Sequence, residues 1–256
     1  MILYNASSSY YSMIGRYSLL EAGVPFEGRR MDIHIAKEQL SPWYLAINPA
    51  MTVPTLTDGE QSWLDSQTIL KFAAMRAGDR WMDADPALSI PIEQIVQAHY
   101  DLPIERLTFG KALVRIPPLR FIVPRMLRSI IHKLEGDLAH STSTSATEAK
   151  IALNRERLAY FTEGNLVDKL QIERDRIQQF IKGLPEPASL LFGDKPSSAD
   201  ILTAVLFGRL KMIGEYNLLP QTSPLIMWFE RVQLRPAYRE ADIWTHFQPL
   251  RILLKR

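Results

Sequence analysis

Short apolar runs alternate with amphipathic stretches over the first third of the chain. Residues 1–5 read as a strand, 12–22 as a helix capped by Ser12, 26–33 as a second strand and 39–47 as a second helix. Residues 53–57, a turn at Asp58-Gly59, residues 62–64 and a helix from Asp65 to about Arg76 complete a βαβ-α-ββα order. From Asp83 onward the strand signal vanishes and helical periodicity takes over. The polar, proline-containing stretch 78–86 suits a boundary. The expected division is a mixed α/β domain over residues 1–78 and a larger all-helical domain over 88–256.

Within the helical part, residues 146–182 place Leu166, Leu170, Ile177 and Ile181 on one face, with an interruption near Gly164-Asn165. Ser197-Ser198-Ala199-Asp200 precedes an apolar helix and has the spacing of a capping box, so Asp200 is read as a folding cap rather than a catalytic acid. The Ser/Thr-rich stretch 140–147 is expected to be a loop. Residues 117–135 mix Phe121, Ile122, Leu127 and Ile131 with Arg120, Arg125, Arg128 and Lys133. Such a basic amphipathic segment can meet an anionic membrane or acidic substrates, but the expectation is an apolar face packed inside and solvated charges.

Composition narrows the chemistry. The 256 residues are 46% hydrophobic and 23% charged, with 30 basic against 28 acidic side chains, which argues against a general nucleic-acid surface. There is no cysteine, so disulfides, thiolate metal sites and cysteine nucleophiles are excluded, and no metal site is expected. No apolar stretch reaches the length of a membrane span and no secretory pattern opens the chain, so the expected place is the cytoplasm, without membrane association.

Two short segments carry the binding chemistry. A Val53-Pro54 pair at the start of a β-run fits a shaped turn, with a cis bond as one option, that bares the backbone of Val53 for pairing with a peptide. Asp65-Ser66 at a helix start offers a carboxylate, a hydroxyl and free N–H groups for the charged ends of an amino acid. The loop Ala6-Ser7-Ser8-Ser9-Tyr10-Tyr11-Ser12 presents hydroxyls and early helix N–H groups suited to an anion: phosphate, carboxylate or thiolate.

Taken in order with Arg16, Leu45-Ala46-Ile47-Asn48-Pro49, the Ser197–Asp200 cap, Trp228-Phe229-Glu230-Arg231 and Arg235-Pro236-Ala237, these segments resemble the soluble glutathione transferase superfamily over nearly the full chain. The resemblance implies an α/β plus all-α chain, with an N-terminal thioredoxin-like domain that binds glutathione and a larger helical domain that holds a hydrophobic electrophile. It also implies a homodimer. Carried over by position, Val53 with Pro54 would pair with the cysteinyl part of glutathione, Asp65 and Ser66 would hold the γ-glutamyl end, and Gln39 would lie near the glycyl carboxylate.

Three hydroxyls compete to activate the thiol. By resemblance Ser12 matches the serine of theta-like members, Tyr11 the cysteine of omega-like and reductive members, and Ser9 the serine of zeta-like isomerases. Ser12 is favoured for its expected place at a helix N-terminus, with Tyr11 lining the electrophile pocket and Ser9 in reserve. Ser12-Met13, Asp32-Ile33 and Arg209-Leu210-Lys211-Met212 look most like the bacterial tetrachlorohydroquinone dehalogenase subgroup, whose cysteine is replaced here by Tyr11. A mixed disulfide on the enzyme is therefore excluded, leaving direct thiolate attack: substitution, addition, ether cleavage or isomerisation. Tyr100 and Phe109 are candidate contacts for an aromatic substrate, whereas His99 is read as a packing residue. The competing reading is a protein of this fold that binds or scaffolds without turnover.

Overall fold

The computed structural model describes residues 1–138 and 144–253. In order, the elements are β1 (Ile2–Asn5), α1 (Tyr10–Glu21), β2 (Glu27–Arg30), a 3-10 turn (Glu38–Leu40), α2 (Pro42–Leu45), β3 (Thr55–Thr57), β4 (Ser62–Trp63) and α3 (Ser66–Ala77). Two 3-10 turns, Gly78–Arg80 and Met82–Ala84, lead to α4 (Ser89–Tyr100), α5 (Ile104–Arg115), α6 (Leu119–Leu138), α7 (Thr144–Thr162) and α8 (Leu166–Lys182). Then follow α9 (Ser198–Ile213), a 3-10 turn (Tyr216–Leu218), α10 (Pro224–Gln233), α11 (Pro236–Glu240) and α12 (Pro249–Leu253). A small mixed sheet with helices followed by helices is the α/β plus all-α order expected from the sequence.

The sheet runs β2-β1-β3-β4. β1 pairs parallel with β2, which a two-residue turn cannot connect, and α1 supplies the crossover. β3 pairs antiparallel with β1, placing Leu3 opposite Leu56, both fully buried. The β3–β4 hairpin closes at the expected Asp58-Gly59, where Asp58 Oδ1 accepts from the N–H groups of Glu60 and Gln61 and Gly59 takes a positive φ. α1 and α3 bury Met13, Ile14, Ile69 and Leu70 against one another and the sheet. Deleting any of these side chains to alanine removes about 2–5 kcal/mol in a core that cannot collapse.

Contacts divide the chain into two compact units. One comprises Met1–Ser41, Thr52–Asp101 and Gln178–Arg256, the other Pro42–Met51 and Leu102–Ile177. Residues 78–86 lie inside the first unit. There α9 is buried on every side from Ser198 to Leu210, as an apolar helix without a polar face must be. The expected capping box begins it: Ser197 Oγ accepts from Asp200 N–H at 3.2 Å, and Asp200 Oδ2 accepts from Ser197 N–H at 3.0 Å. Asp200 also accepts from Leu191 N–H and Trp228 Nε1–H, so this carboxylate ties three segments together. Burial nevertheless lifts its pKa to about 6 against the pull of those donors.

In the second unit α6 packs on α7, with Pro124, Leu127, Ile131 and Leu134 facing inward at helical spacing. The chain breaks between α7 and α8 at residues 163–165, as the sequence indicated, and Leu170, Ile177 and Ile181 are buried while Leu166 is half-buried. Four expectations change. The helix expected over 39–47 is split at Ser41 into the 3-10 turn Glu38–Leu40 and the four-residue α2. Residues 144–147 are helical, the first turn of α7, because the Ser/Thr run ends in helix-compatible Ala146 and Glu148; 140–143 lie outside the described residues. The second strand is confined to four residues paired with β1. The first helix begins at Tyr10, two residues before the expected cap, and its N-cap is Ser9.

Candidate functional site at the first helix N-terminus

The loop after β1 closes on itself through serines. Ser9, in extended backbone, accepts from the Ser12 N–H at 3.3 Å and so caps α1. Among the described residues its own O–H has no acceptor, and the side chain is partly exposed. Ser12 sits one turn inside, wholly buried, and its Oγ accepts from the Ala6 N–H at 3.2 Å. The favoured serine thus braces the loop, and the reserve serine holds the helix N-terminus. Ser8 Oγ is 2.8 Å from His34 Nε2, and both line a cavity of about 180 Å³ with Asp32, Glu38 and Trp244.

Two buried arginines fix this loop; in the sequence they served only as markers of the resemblance. Arg16 Nη1 donates to Asn5 Oδ1 at 2.9 Å and to the Ala6 carbonyl at 3.3 Å. Its Nη2 donates to the Ser7 and Asp242 carbonyls, and its Nε to the Ala241 carbonyl at 2.8 Å. Burial draws its pKa down to about 10, so it stays a cation at neutral pH. Arg209 donates to the Ser8 carbonyl at 2.9 Å and lies 5.4 Å from the Tyr10 ring centroid. A guanidinium with five donors in a fixed fork can staple several carbonyls at once. An arginine within a helix four residues after a serine loop was the available signal.

Tyr10 points inward, where its hydroxyl is 2.9 Å from His99 Nε2 and the two rings stack. His99 is 2% exposed, its Nδ1 has no partner among the described residues, and burial alone brings its pKa down to about 3. It is the packing residue the sequence suggested. Tyr11 is half-buried, its ring edge-on to Tyr10 at 5.3 Å and stacked on Tyr100 at 6.5 Å and 11°. Tyr100 O–H donates to Ser66 Oγ at 3.0 Å, and burial raises the phenol pKa far enough to keep it a donor. Tyr11, Tyr100 and Ser66, chosen for separate reasons, therefore form one continuous chain. Phe109 belongs to the second unit, 42% exposed on α5.

The peptide bond Val53–Pro54 is cis. Pro54 packs against α1 at Gly15, where a Cβ would come within 3.1 Å of the proline Cγ, so a larger residue would have to press the proline back by a few tenths of an ångström. Among the described residues the Val53 N–H and C=O make no hydrogen bond. Asp65 caps α3: its Oδ1 accepts from Thr68 N–H at 2.7 Å while Thr68 Oγ1 accepts from Asp65 N–H. The first N–H groups, of Ser66 and Gln67, point off the helix end without described partners. Gln39 donates from Nε2 to the Ile33 carbonyl, and its Oε1 is buried without a partner. That orphan acceptor suits a peptide N–H; a carboxylate would have to use the second Nε2 hydrogen.

Residues 3–81 match the family model of the glutathione S-transferase N-terminal domain. Over those residues the chain is similar to the glutathione S-transferase superfamily. Enzymes of this superfamily use glutathione as cosubstrate. The chain is 24% identical to a tetrachloro-p-hydroquinone reductive dehalogenase of Sphingobium chlorophenolicum over 96% of its length and 97% of that protein. In fold it is similar to the β-etherase LigF of Sphingobium sp. strain SYK-6, with TM-score 0.68, 21% identity and coverage of 94% of this chain and 97% of that one. It is likewise similar to a theta class transferase of Xanthomonas axonopodis pv. citri solved with glutathione, with TM-score 0.55, 16% identity and coverage of 94% and 96%. Val53, the α3 N-terminus and Gln39 offer a bare backbone, free N–H groups and an orphan acceptor, a donor and acceptor set that fits a tripeptide.

Proposed function

We propose that this chain is a cytoplasmic, homodimeric glutathione transferase that binds glutathione as the thiolate and directs it at a hydrophobic electrophile. The observation that carries the reading is the junction of three elements within one unit. Pro54 rests on α1, Tyr11 of α1 stacks on Tyr100, and Tyr100 donates to Ser66 at the start of α3. In this reading residues 1–78 hold the cosubstrate, a division supported by the family match over 3–81, and residues 88–256 contribute to the electrophile pocket. The Val53 backbone pairs with the cysteinyl residue, the N–H groups of Ser66 and Gln67 with Asp65 receive the γ-glutamyl end, and Gln39 meets the glycyl amide.

The thiol loses its proton to solvent, and the Ser9 O–H donates to sulfur at the N-terminal end of α1, where the helix dipole adds to the same stabilisation. Serine does this without ionising. Tyr11 supplies a second hydroxyl and, with Tyr100, apolar contact for the substrate. Ser12, closed in and bonded to Ala6, serves the loop rather than the sulfur. The sulfur–carbon bond forms as a leaving group departs with its electron pair, or as a conjugated double bond accepts the pair. The dehalogenase relative is a reductive enzyme. With no cysteine here, a protein–glutathione disulfide cannot form, so turnover is conjugation, ether cleavage or isomerisation.

Calorimetry with glutathione, followed by turnover of aryl halides, enones and aryl ethers, tests the reading. Binding at millimolar concentration or tighter, weakened at least tenfold by Asp65→Ala, is expected. No binding refutes the proposal. Binding without turnover of any class would favour a binding protein.

A further inference from the structure

From Arg106 to Leu134 the chain holds 7 Lys or Arg and no Asp or Glu, about twice the average basic density of the sequence. The structure shows where those charges go. Glu105 pairs with Arg157 and Glu135 with Arg155, outside the stretch, while Asp137 pairs with Lys133 and Glu156 with Arg106, two of its seven cations. Arg120 turns back to the carbonyls of Leu113 and Val114 at the end of α5, which leaves its charge unneutralised. Arg115, Arg125 and Arg128 are solvent-facing or nearly so and have no ion pair among the described residues.

Large apolar side chains stand among them. Phe121 is 67% exposed, Ile122 55% and Ile116 41%, around the Pro117-Pro118 turn from α5 into α6. The inward stripe of α6 is already filled by Pro124, Leu127, Ile131 and Leu134, so Phe121 and Ile122 are left over on its outer side. At helical spacing Phe121, Arg125 and Arg128 share one face, as do Ile122, Arg125 and His132. A protein surface does not ordinarily set an exposed aromatic and two isoleucines inside a ring of unpaired arginines. Such an arrangement suits an interface in which apolar groups enter acyl chains while guanidinium groups on long stems stay at the phosphate level.

We infer that the α5–α6 turn and the outer face of α6 form a peripheral docking site for an anionic phospholipid bilayer. Nucleic acid would use the charges and gain nothing from three exposed aliphatic and aromatic side chains. A second copy of the chain would bring an equally basic face against this one. Among the described residues no helix is long and apolar enough to cross a membrane, so attachment is at the surface and reversible by salt. The sequence alone favoured a packed apolar face, and the exposed Phe121 and Ile122 are what the packing did not absorb.

Co-sedimentation of the full chain with vesicles tests the site, independently of glutathione. Phosphatidylcholine vesicles carrying roughly one-third phosphatidylserine should pellet the protein, and pure phosphatidylcholine vesicles should not. Arg125→Glu with Arg128→Glu should weaken partitioning about 30-fold or more, from about 5-fold for each arginine lost. Phe121→Ser with Ile122→Ser should weaken it about tenfold. Lys182→Glu, an exposed change outside the patch, should leave it unchanged. The proposal is overturned if the wild type fails to pellet, pellets equally with neutral vesicles, or pellets as well after both double substitutions. It is also overturned if these substitutions alter only heparin retention or self-association in sedimentation velocity.

Discussion

Acid should loosen this protein through one side chain. His99 is 2% exposed, has no acidic partner, and faces Tyr10, Tyr100 and Phe180. Burial lowers its pKa from 6.5 to about 3. The folded state therefore disfavours the proton that the unfolded chain accepts. Stability from neutral His99 is complete above pH 6.5 and is lost as pH falls toward about 3. With those end points the loss is about 1 kcal/mol by pH 5.5 and several kcal/mol once both states are protonated. Urea midpoints at about pH 7, 5.5 and 4.5, compared between wild type and His99→Gln, isolate this contribution from all other groups. Glutamine keeps a partner for Tyr10 and cannot titrate. The wild type should fall below the variant's own trend by about 1 kcal/mol at pH 5.5, with an unchanged slope against denaturant. Parallel pH profiles would refute the reasoning.

Further outcomes follow from the loop and its supports. Arg16→Lys keeps the charge but cannot span Asn5 and the Ala241–Asp242 turn together, and should cost about 3 kcal/mol in urea unfolding while leaving buried carbonyls unpaired. A loss under about 0.5 kcal/mol would remove the clamp. Tyr100→Phe keeps the stacking on Tyr11 and deletes only the hydrogen bond to Ser66; glutathione affinity by calorimetry should drop about fivefold, and an unchanged value would detach Tyr100 from the clamp. Asp200→Ala leaves the Leu191, Ser197 and Trp228 donors without their shared acceptor and should destabilise by about 3 kcal/mol, read from the thermal or urea midpoint.

What could be read from the sequence was local. The Asp58-Gly59 hairpin, the Asp65 cap and the Ser197–Asp200 box each depend on residues within a turn of one another, so side-chain chemistry decides them. The first loop resisted because Ser7, Ser8, Ser9 and Ser12 can all cap a helix. The choice turns on whether Tyr10 and Tyr11 enter the first turn, which is settled by Tyr10 reaching His99, 89 residues away. Arg16 draws on carbonyls 225 and 226 residues distant, a link no spacing rule exposes. The surface of α6 failed for another reason. Periodicity identified a helix with an inward stripe, but which apolar residues remain outside depends on how many the neighbouring helix can cover.

The central claim is that Ser9, at the N-terminus of α1, favours the thiolate of bound glutathione. Its most direct measure is the ultraviolet thiolate absorbance of the bound tripeptide against pH, in wild type, Ser9→Ala and Ser12→Ala. A hydrogen bond to an anion is worth about 1.5–3 kcal/mol, so Ser9→Ala should raise the bound thiol pKa by about one to two units. Ser12→Ala should leave that pKa in place while lowering stability. A thiolate titration that moves with Ser12 and ignores Ser9 would contradict the account.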